Sequence, residues 1–185
     1  MRAALEKHYQ HCKAKGCIAA CMDAFSYYED PSDGFVQRIA AADYDEARHF
    51  RVSNSAGREV LLIANDKCLI GQGPRMPKRC DCLFVAGSDV FFVEFKLPKV
   101  GREESEESNR QESRLEEACQ QLLTSIQWFE QQNWIGPNDT IRAYAHVGFP
   151  TLMPDPTTTV TNMEASINEQ TKYYVEFDVR NDALF

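Results

Sequence analysis

The apolar positions change period several times along the chain, and each change predicts an element. Residues 2–28 read as helical, with Gly16 as a break. After turn chemistry at Pro31–Gly34, Phe35, Ile39 and Ala42 recur at helical spacing and predict a second helix. "HFRVSNSAGREVLLIAND" reads as two strands joined at Ser55-Ala56-Gly57. Asn65-Asp66 then turns the chain into a short strand, "KCLIG", and "GQGPRMPKR" is a loop by its Gly and Pro content. The segment Cys80–Lys96, "CDCLFVAGSDVFFVEFK", gives two apolar strands around Gly87-Ser88, a Gly-X pair suited to a two-residue hairpin. Leu115, Ala118, Cys119, Leu122, Ile126 and Phe129 follow a three-four spacing, which predicts a long helix ending before Gly136-Pro137. "TIRAYAHVGF" predicts a strand, "PTLMPDPTTTVTNMEASINEQ" a loop-rich stretch, and "KYYVEFDV" a final strand.

The hairpin carries three ionisable residues inside otherwise apolar strands: Asp81, Glu94 and Lys96. With a two-residue turn at Gly87-Ser88, Ala86 pairs with Asp89 and Val85 with Val90, which sets Asp81 across from Glu94. Directly opposed residues share a face, and so do residues two apart, so Asp81, Glu94 and Lys96 converge on one side of one hairpin end. The other side, with Cys80, Cys82, Phe84, Phe91, Val93 and Phe95, reads as the core face. A slip of one residue would scatter the polar set.

Two opposed carboxylates repel unless a cation sits between them. A divalent ion would relieve the repulsion, and Mg²⁺ favours one or two carboxylates completed by waters and substrate phosphate. Lys96 beside such a site would orient and help activate an attacking water. The chemistry this suggests is phosphodiester hydrolysis. The plain alternative is an edge hairpin whose Asp, Glu and Lys face solvent as a weak surface ion pair.

The spacing Asp-x12-Glu-x-Lys across a hairpin, in this order of elements, resembles the PD-(D/E)xK nuclease superfamily, the fold of many restriction enzymes and Holliday-junction resolvases. The resemblance implies an α/β (α+β) fold with a restriction-endonuclease-like core. Its central mixed sheet has three antiparallel strands plus a fourth strand, flanked by helices. A single domain over 1–185 is expected, with a helical extension at 1–33, the core at 34–148 and a C-terminal loop and strand at 149–185. The activity implied is metal-dependent cleavage of DNA or RNA, with Mg²⁺ or Mn²⁺. By resemblance, Asp81 and Glu94 would bind the ion, the Phe95 carbonyl would offer another oxygen, and Lys96 would position and activate water. Relatives often carry a Gln in a "QL" pair on the following helix, which here is Gln121-Leu122, with Gln120 as a rival. They also often place an acidic ligand on the helix before the first core strand. Glu46 and Asp43 are the candidates, and Glu29 is an outsider. Arg79-Cys80 stands where the family has a proline before the Asp. Small stand-alone chains of this kind resemble components of bacterial defence or repair systems.

Length and charge refine the picture. The chain has 185 residues, 43% of them hydrophobic, which suits one globular domain. Its net charge of −8 argues against clamping nucleic acid by charge alone, and keeps open a non-catalytic module of the same fold that binds a protein partner. Half of the excess lies in "GREESEESNRQESRLEE", which reads as a solvated loop or frayed helix start over 101–112. The N-terminus lacks the apolar stretch of a signal peptide, and no run is long enough to span a membrane. The odd count of seven cysteines suggests free thiols and a cytoplasmic setting. His8, His11, Cys12, Cys17 and Cys21 lie close together in sequence, but they lack a usual zinc spacing such as C-x2-C, and Cys17 and Cys21 read as small buried thiols. His146 has no evident nucleophilic partner and reads as structural. P-loop, G-x-S-x-G and G-x-G-x-x-G motifs are absent.

Overall fold

A computed structural model describes residues 1–70, 78–97, 104–148 and 158–185, with only the backbone of 104–111. The architecture is mixed α/β in three layers. The central layer is a six-stranded sheet in the order β1-β5-β6-β7-β8-β9. These strands are β1 (Ile18–Cys21), β5 (Val60–Ala64), β6 (Cys82–Ala86), β7 (Asp89–Phe95), β8 (Thr140–His146) and β9 (Val175–Val179). The first four are antiparallel neighbours, while β7, β8 and β9 run parallel. Parallel neighbours need crossovers, which two helices supply: α3 (Glu104–Gln131) between β7 and β8, and α4 (Thr158–Gln170) between β8 and β9.

A four-stranded sheet covers one face, in the order β10-β4-β2-β3, from β10 (Asp182–Leu184), β4 (Phe50–Ser53), β2 (Phe25–Glu29) and β3 (Gln37–Ile39). The layer between the sheets is aromatic. Phe50 stacks on Phe84 at 5.7 Å, and Phe91 meets Phe185 at 4.4 Å. The other face lies under the helices, where Leu83, Val85, Val90 and Phe92 join Leu115, Leu122, Ile126 and Phe129 in one buried cluster. Both faces of the hairpin are therefore buried, and the side that carries Glu94 is as much a core face as the other. Cys80 belongs to the helix-side cluster rather than to the intersheet face expected for it.

The hairpin register is the one the turn predicts, with Ala86 opposite Asp89 and Val85 opposite Val90. Gly87 takes a φ of 63°, the left-handed value that a tight turn demands of its first residue. The long helix, the strand after it and the strand at 175–179 also match their expected places.

Four expectations are corrected. Residues 2–28 are helical only in α1 (Arg2–His8) and α2 (His11–Lys15), because Ile18–Cys21 is held as a strand against β5 and Phe25–Glu29 as a strand against β4. The helix expected through Phe35, Ile39 and Ala42 is instead β3 and a single 3-10 turn at Ala41–Asp43. Of the expected strand "KCLIG", residues 67–70 are a turn with one bridge, Asp66 to Ile70, and Gly71 lies outside the described residues. The stretch after Pro150 contains α4, whose Ile167 is buried against the core. Residues 71–77, 101–103 and 149–157, which include most of the loop expected at 71–79 and part of the acidic segment, lie outside the described residues; from Glu104 that segment is helix.

Not every thiol is free, contrary to expectation. Cys17 and Cys68 form a disulfide between residues 51 apart, while Cys12, Cys21, Cys80, Cys82 and Cys119 are free. In the chain-entropy view, closing a loop of that length contributes about 4 kcal/mol. Among the described residues no helix is long and apolar enough to cross a membrane.

Candidate active site

The hairpin ladder ends at Cys82–Val93, and one step further Asp81 stands across from Glu94. Asp81 is held from several sides. Its Oδ2 accepts the Phe95 N–H at 2.7 Å, and its carbonyl accepts the Asn65 N–H at 2.8 Å and the Asp66 N–H at 3.2 Å. Asn65 is fully buried, and its Nδ2 donates to the Cys80 carbonyl at 3.0 Å. Ser125 of α3 accepts the Cys80 N–H at 2.8 Å and donates to the Gln121 carbonyl at 2.9 Å. The backbone that presents Asp81 is thereby tied to the helix as well as to the sheet. Such bonds are costly to lose when buried, so the network sets the carboxyl's position.

Glu94 is the most buried of the set, at 1% exposure. Its Oε1 lies 2.8 Å from Lys96 Nζ, an ion pair, yet among the described residues neither oxygen accepts a hydrogen bond of good geometry. A carboxylate in that setting is poorly solvated by the protein. Burial pushes its pKa well above the usual range, and the Asp81 charge pushes it further, against the pull of Lys96. Asp81, at 8% exposure, is raised to about 7, chiefly by burial and then by the charge of Asp30, with the Phe95 N–H acting in the opposite sense. Lys96 loses some basicity to burial, but Glu94 and Asp81 more than restore it, and its pKa ends above the ordinary lysine value.

Asp30 is the acidic neighbour that sequence reasoning missed. It follows β2 in the smaller sheet, keeps about 20% of its side-chain surface, and pairs with Lys67 Nζ at 3.7 Å. Burial raises its pKa as well. The expected upstream candidates lie elsewhere in structure: Asp43 is exposed in the 3-10 turn, Glu46 is exposed in the following turn, and neither is on a helix before a core strand. Glu46 contributes its backbone carbonyl to Asn181 at 2.9 Å. Glu29, the outsider, adjoins Asp30 but accepts from Gln37 at 2.8 Å across the strand pair. The signal for Asp30 was its place directly before Pro31, at the end of an alternating "FSYYED" run whose Ser26 and Tyr28 point inward.

Gln121 is buried on α3 and, with Lys78, Glu117, Gln120 and Thr124, lines a cavity of about 260 Å³. Glu117, one turn earlier on the same helix face, is close enough to raise the pKa of Lys96. Gln121 and its rival Gln120 both reach this cavity, and Gln121 is the buried one. Arg79, which with Cys80 stands where the resemblance expects a proline, lays its guanidinium over Trp128 at 4.9 Å. The Phe95 N–H points to Asp81, and N–H and C=O of one extended residue point the same way, so its carbonyl faces that strand edge too. His146 is buried, and burial lowers its pKa to about 4.

The arrangement is oxygen-rich: the opposed carboxyls of Asp81 and Glu94 lie beside the Lys96 ammonium, and the Asp30 carboxyl, paired with Lys67, is near enough to raise the pKa of Asp81. Hard divalent cations favour such donors. Compared with protein-family models, with curated proteins and with solved structures, the chain finds no match in any of the three.

Proposed function

We propose that this chain is a metal-dependent nuclease of the PD-(D/E)xK type, hydrolysing phosphodiester bonds of DNA or RNA. The observation that carries the reading is Glu94: a carboxylate almost wholly buried, with two oxygens that accept no hydrogen bond of good geometry among the described residues, facing a second buried carboxyl. Lys96 meets one Glu94 oxygen, and any further ionisation of the pair adds buried negative charge that a divalent cation would offset. Topology supports the same reading. Three antiparallel strands, β5, β6 and β7, lead through α3 into the parallel strand β8, the order expected of that core. The helix expected before it is replaced here by β3, the 3-10 turn and β4.

Asp81 and Glu94 would hold Mg²⁺ or Mn²⁺, with the Phe95 carbonyl as a further oxygen donor and Asp30 as a nearby negative charge. The bound ion would supply positive charge to the phosphoryl oxygens as the bond breaks. Lys96 has a raised pKa and stays an ammonium at neutral pH. Its role is therefore to orient a water and the scissile phosphate through its N–H donors, rather than to take up a proton. The Asn65–Cys80–Ser125 network holds the Asp81 backbone while charge at the site changes.

The test is a cleavage assay on single- and double-stranded DNA and RNA with Mg²⁺, Mn²⁺ or EDTA. Lys96→Ala is expected to abolish cleavage and keep the fold, because Lys96 contributes one ion pair at a strand end. Glu94→Gln is expected to lose both cleavage and the cation-dependent rise in melting temperature. Cleavage that persists in EDTA or in Lys96→Ala overturns the mechanism. No cleavage on any substrate, with no melting shift on adding Mn²⁺, moves the assignment to a protein-binding module.

A further inference from the structure

The N-terminal helices meet the large sheet at a cluster of sulfur and nitrogen that the carboxylate site does not use. Cys12 and Cys17 are buried at 1% exposure and Cys68 at 0%. A ring nitrogen of His11, the Cys12 Sγ and the Cys17 Sγ all lie within 4.8 Å of one another. Cys17 Sγ is in turn bonded to Cys68 Sγ, with the two Cα atoms 5.4 Å apart. His11 Nε2 lies 2.9 Å from the Cys68 carbonyl oxygen. A carbonyl only accepts, so Nε2 carries the proton and a neutral His11 keeps its lone pair on Nδ1. Metal-ligating histidines are commonly held in this way, one nitrogen donating to a backbone carbonyl and the other free to ligate.

We propose that, once the Cys17–Cys68 bond is reduced, His11, Cys12, Cys17 and Cys68 form a tetrahedral Zn²⁺ site, so that the N-terminal helices are clasped to the sheet either by a disulfide or by zinc. Three thiolates and one imidazole are a common donor set for structural zinc. With bonds of about 2.0–2.3 Å, a tetrahedral ion wants donor atoms roughly 3.5–3.8 Å apart, which side-chain rotation reaches from the present spacing. The chemistry balances with a dithiol as reductant. The S–S bond breaks, two S–H bonds form, and the dithiol gives up two electrons and two protons and becomes a disulfide. Binding Zn²⁺ then releases the three thiol protons, from Cys12, Cys17 and Cys68. The sequence hides this set because Cys68 joins from 51 residues beyond Cys17, outside any short ligand spacing.

The experiment compares the full chain oxidised and after reduction with a phosphine, each offered Zn²⁺ or Co²⁺ and then desalted. The reduced chain is expected to keep one metal per chain bound through sulfur. With Co²⁺ it should show the thiolate-to-cobalt charge-transfer absorption, which carboxylate ligands do not give, and the oxidised chain should lack it. In a denaturant concentration that exposes the buried thiols, zinc should slow alkylation of Cys12, Cys17 and Cys68, mapped by mass spectrometry, and leave the rate at Cys119 unchanged. Cys12→Ser should weaken the cobalt band of the reduced chain and lower its metal affinity, yet keep the disulfide when oxidised. Asp81→Asn should keep the band, which separates this site from the carboxylate cluster. A reduced chain with no thiolate–cobalt band overturns the proposal, as does Cys12 alkylated at the same rate with and without zinc under the denaturing conditions that expose it.

Discussion

Asp81→Asn is expected to stabilise the cation-free protein, and the effect should depend on pH. The side chain keeps its shape and an oxygen for the Phe95 N–H, now at 2.7 Å from Asp81 Oδ2, but can no longer ionise. In the folded chain Asp81 holds its proton up to about 7, against an ordinary value of 3.8. Between those values the folded state binds more protons than the unfolded state, so stability falls as pH rises and the loss is complete above about 7. Each pH unit of that gap is worth about 1.4 kcal/mol, and about three units amount to about 4 kcal/mol. For a chain of this size, 4 kcal/mol corresponds to roughly 10 °C in melting temperature. The assay is thermal or denaturant unfolding of wild type and variant in EDTA at intervals from pH 4 to 8. The difference between the two curves is the quantity read, because groups common to both cancel. It should be small at pH 4 and grow to several kcal/mol in favour of Asp81→Asn by pH 8. Saturating Mn²⁺ should then stabilise the wild type much more than the variant. A difference that stays flat with pH, or a wild type that is the more stable at pH 8 in EDTA, refutes the reasoning.

Two further predictions concern the neighbours. Asp30→Asn should lower the pKa of Asp81, since the Asp30 charge is the second cause of its rise after burial; the carboxyl carbon shift of Asp81 followed by NMR against pH reads this directly, and an unmoved midpoint contradicts it. His146 is held near 4 in the folded chain, below its ordinary 6.5, so it stabilises the fold above pH 6.5 and loses that contribution as pH falls toward 4, about 3 kcal/mol in all; in His146→Asn the acid limb of the stability curve should be shallower than in wild type over that window, measured by unfolding from pH 4 to 7.

The parts legible in the sequence were those where local period and turn chemistry act alone. Gly87-Ser88 sets the register of a tight hairpin, so the meeting of Asp81, Glu94 and Lys96 could be worked out by pairing. The helix through Leu115 and Phe129 shows its buried stripe plainly. Local reading failed where a partner strand decides the conformation. "CIAAC" is good helix material by propensity, but pairing Ile18 with Ile63 and Cys21 with Val60 makes it an edge strand. The three prolines at 150, 154 and 156 made the whole following stretch read as loop, although Thr158–Gln170 is helical. Asp30 was hidden for a related reason. It comes to Asp81 by the packing of two sheets, and no spacing within one hairpin reports that.

The pairing of β10 with β4 bears on how the protein is assembled in time. Asp182 and Arg51, neighbours in that parallel pair, are 131 residues apart in the chain. Contacts of such long range close late, because the loop entropy must be met before they can contribute. The central hairpin and its helix are local and can form early, as can the pairings of β2 with β3 and β4; only β10 waits for residues 182–184 to find β4. Asp30 extends from that small sheet, at the end of β2. Asp30 is placed by these local pairings and by the packing of the small sheet on the large one, and so does not depend on β10. Docking of β10 on β4 should therefore appear as the slow phase of refolding, and because the carboxyl site lies on neither strand, that phase should be the same in Mn²⁺ and in EDTA.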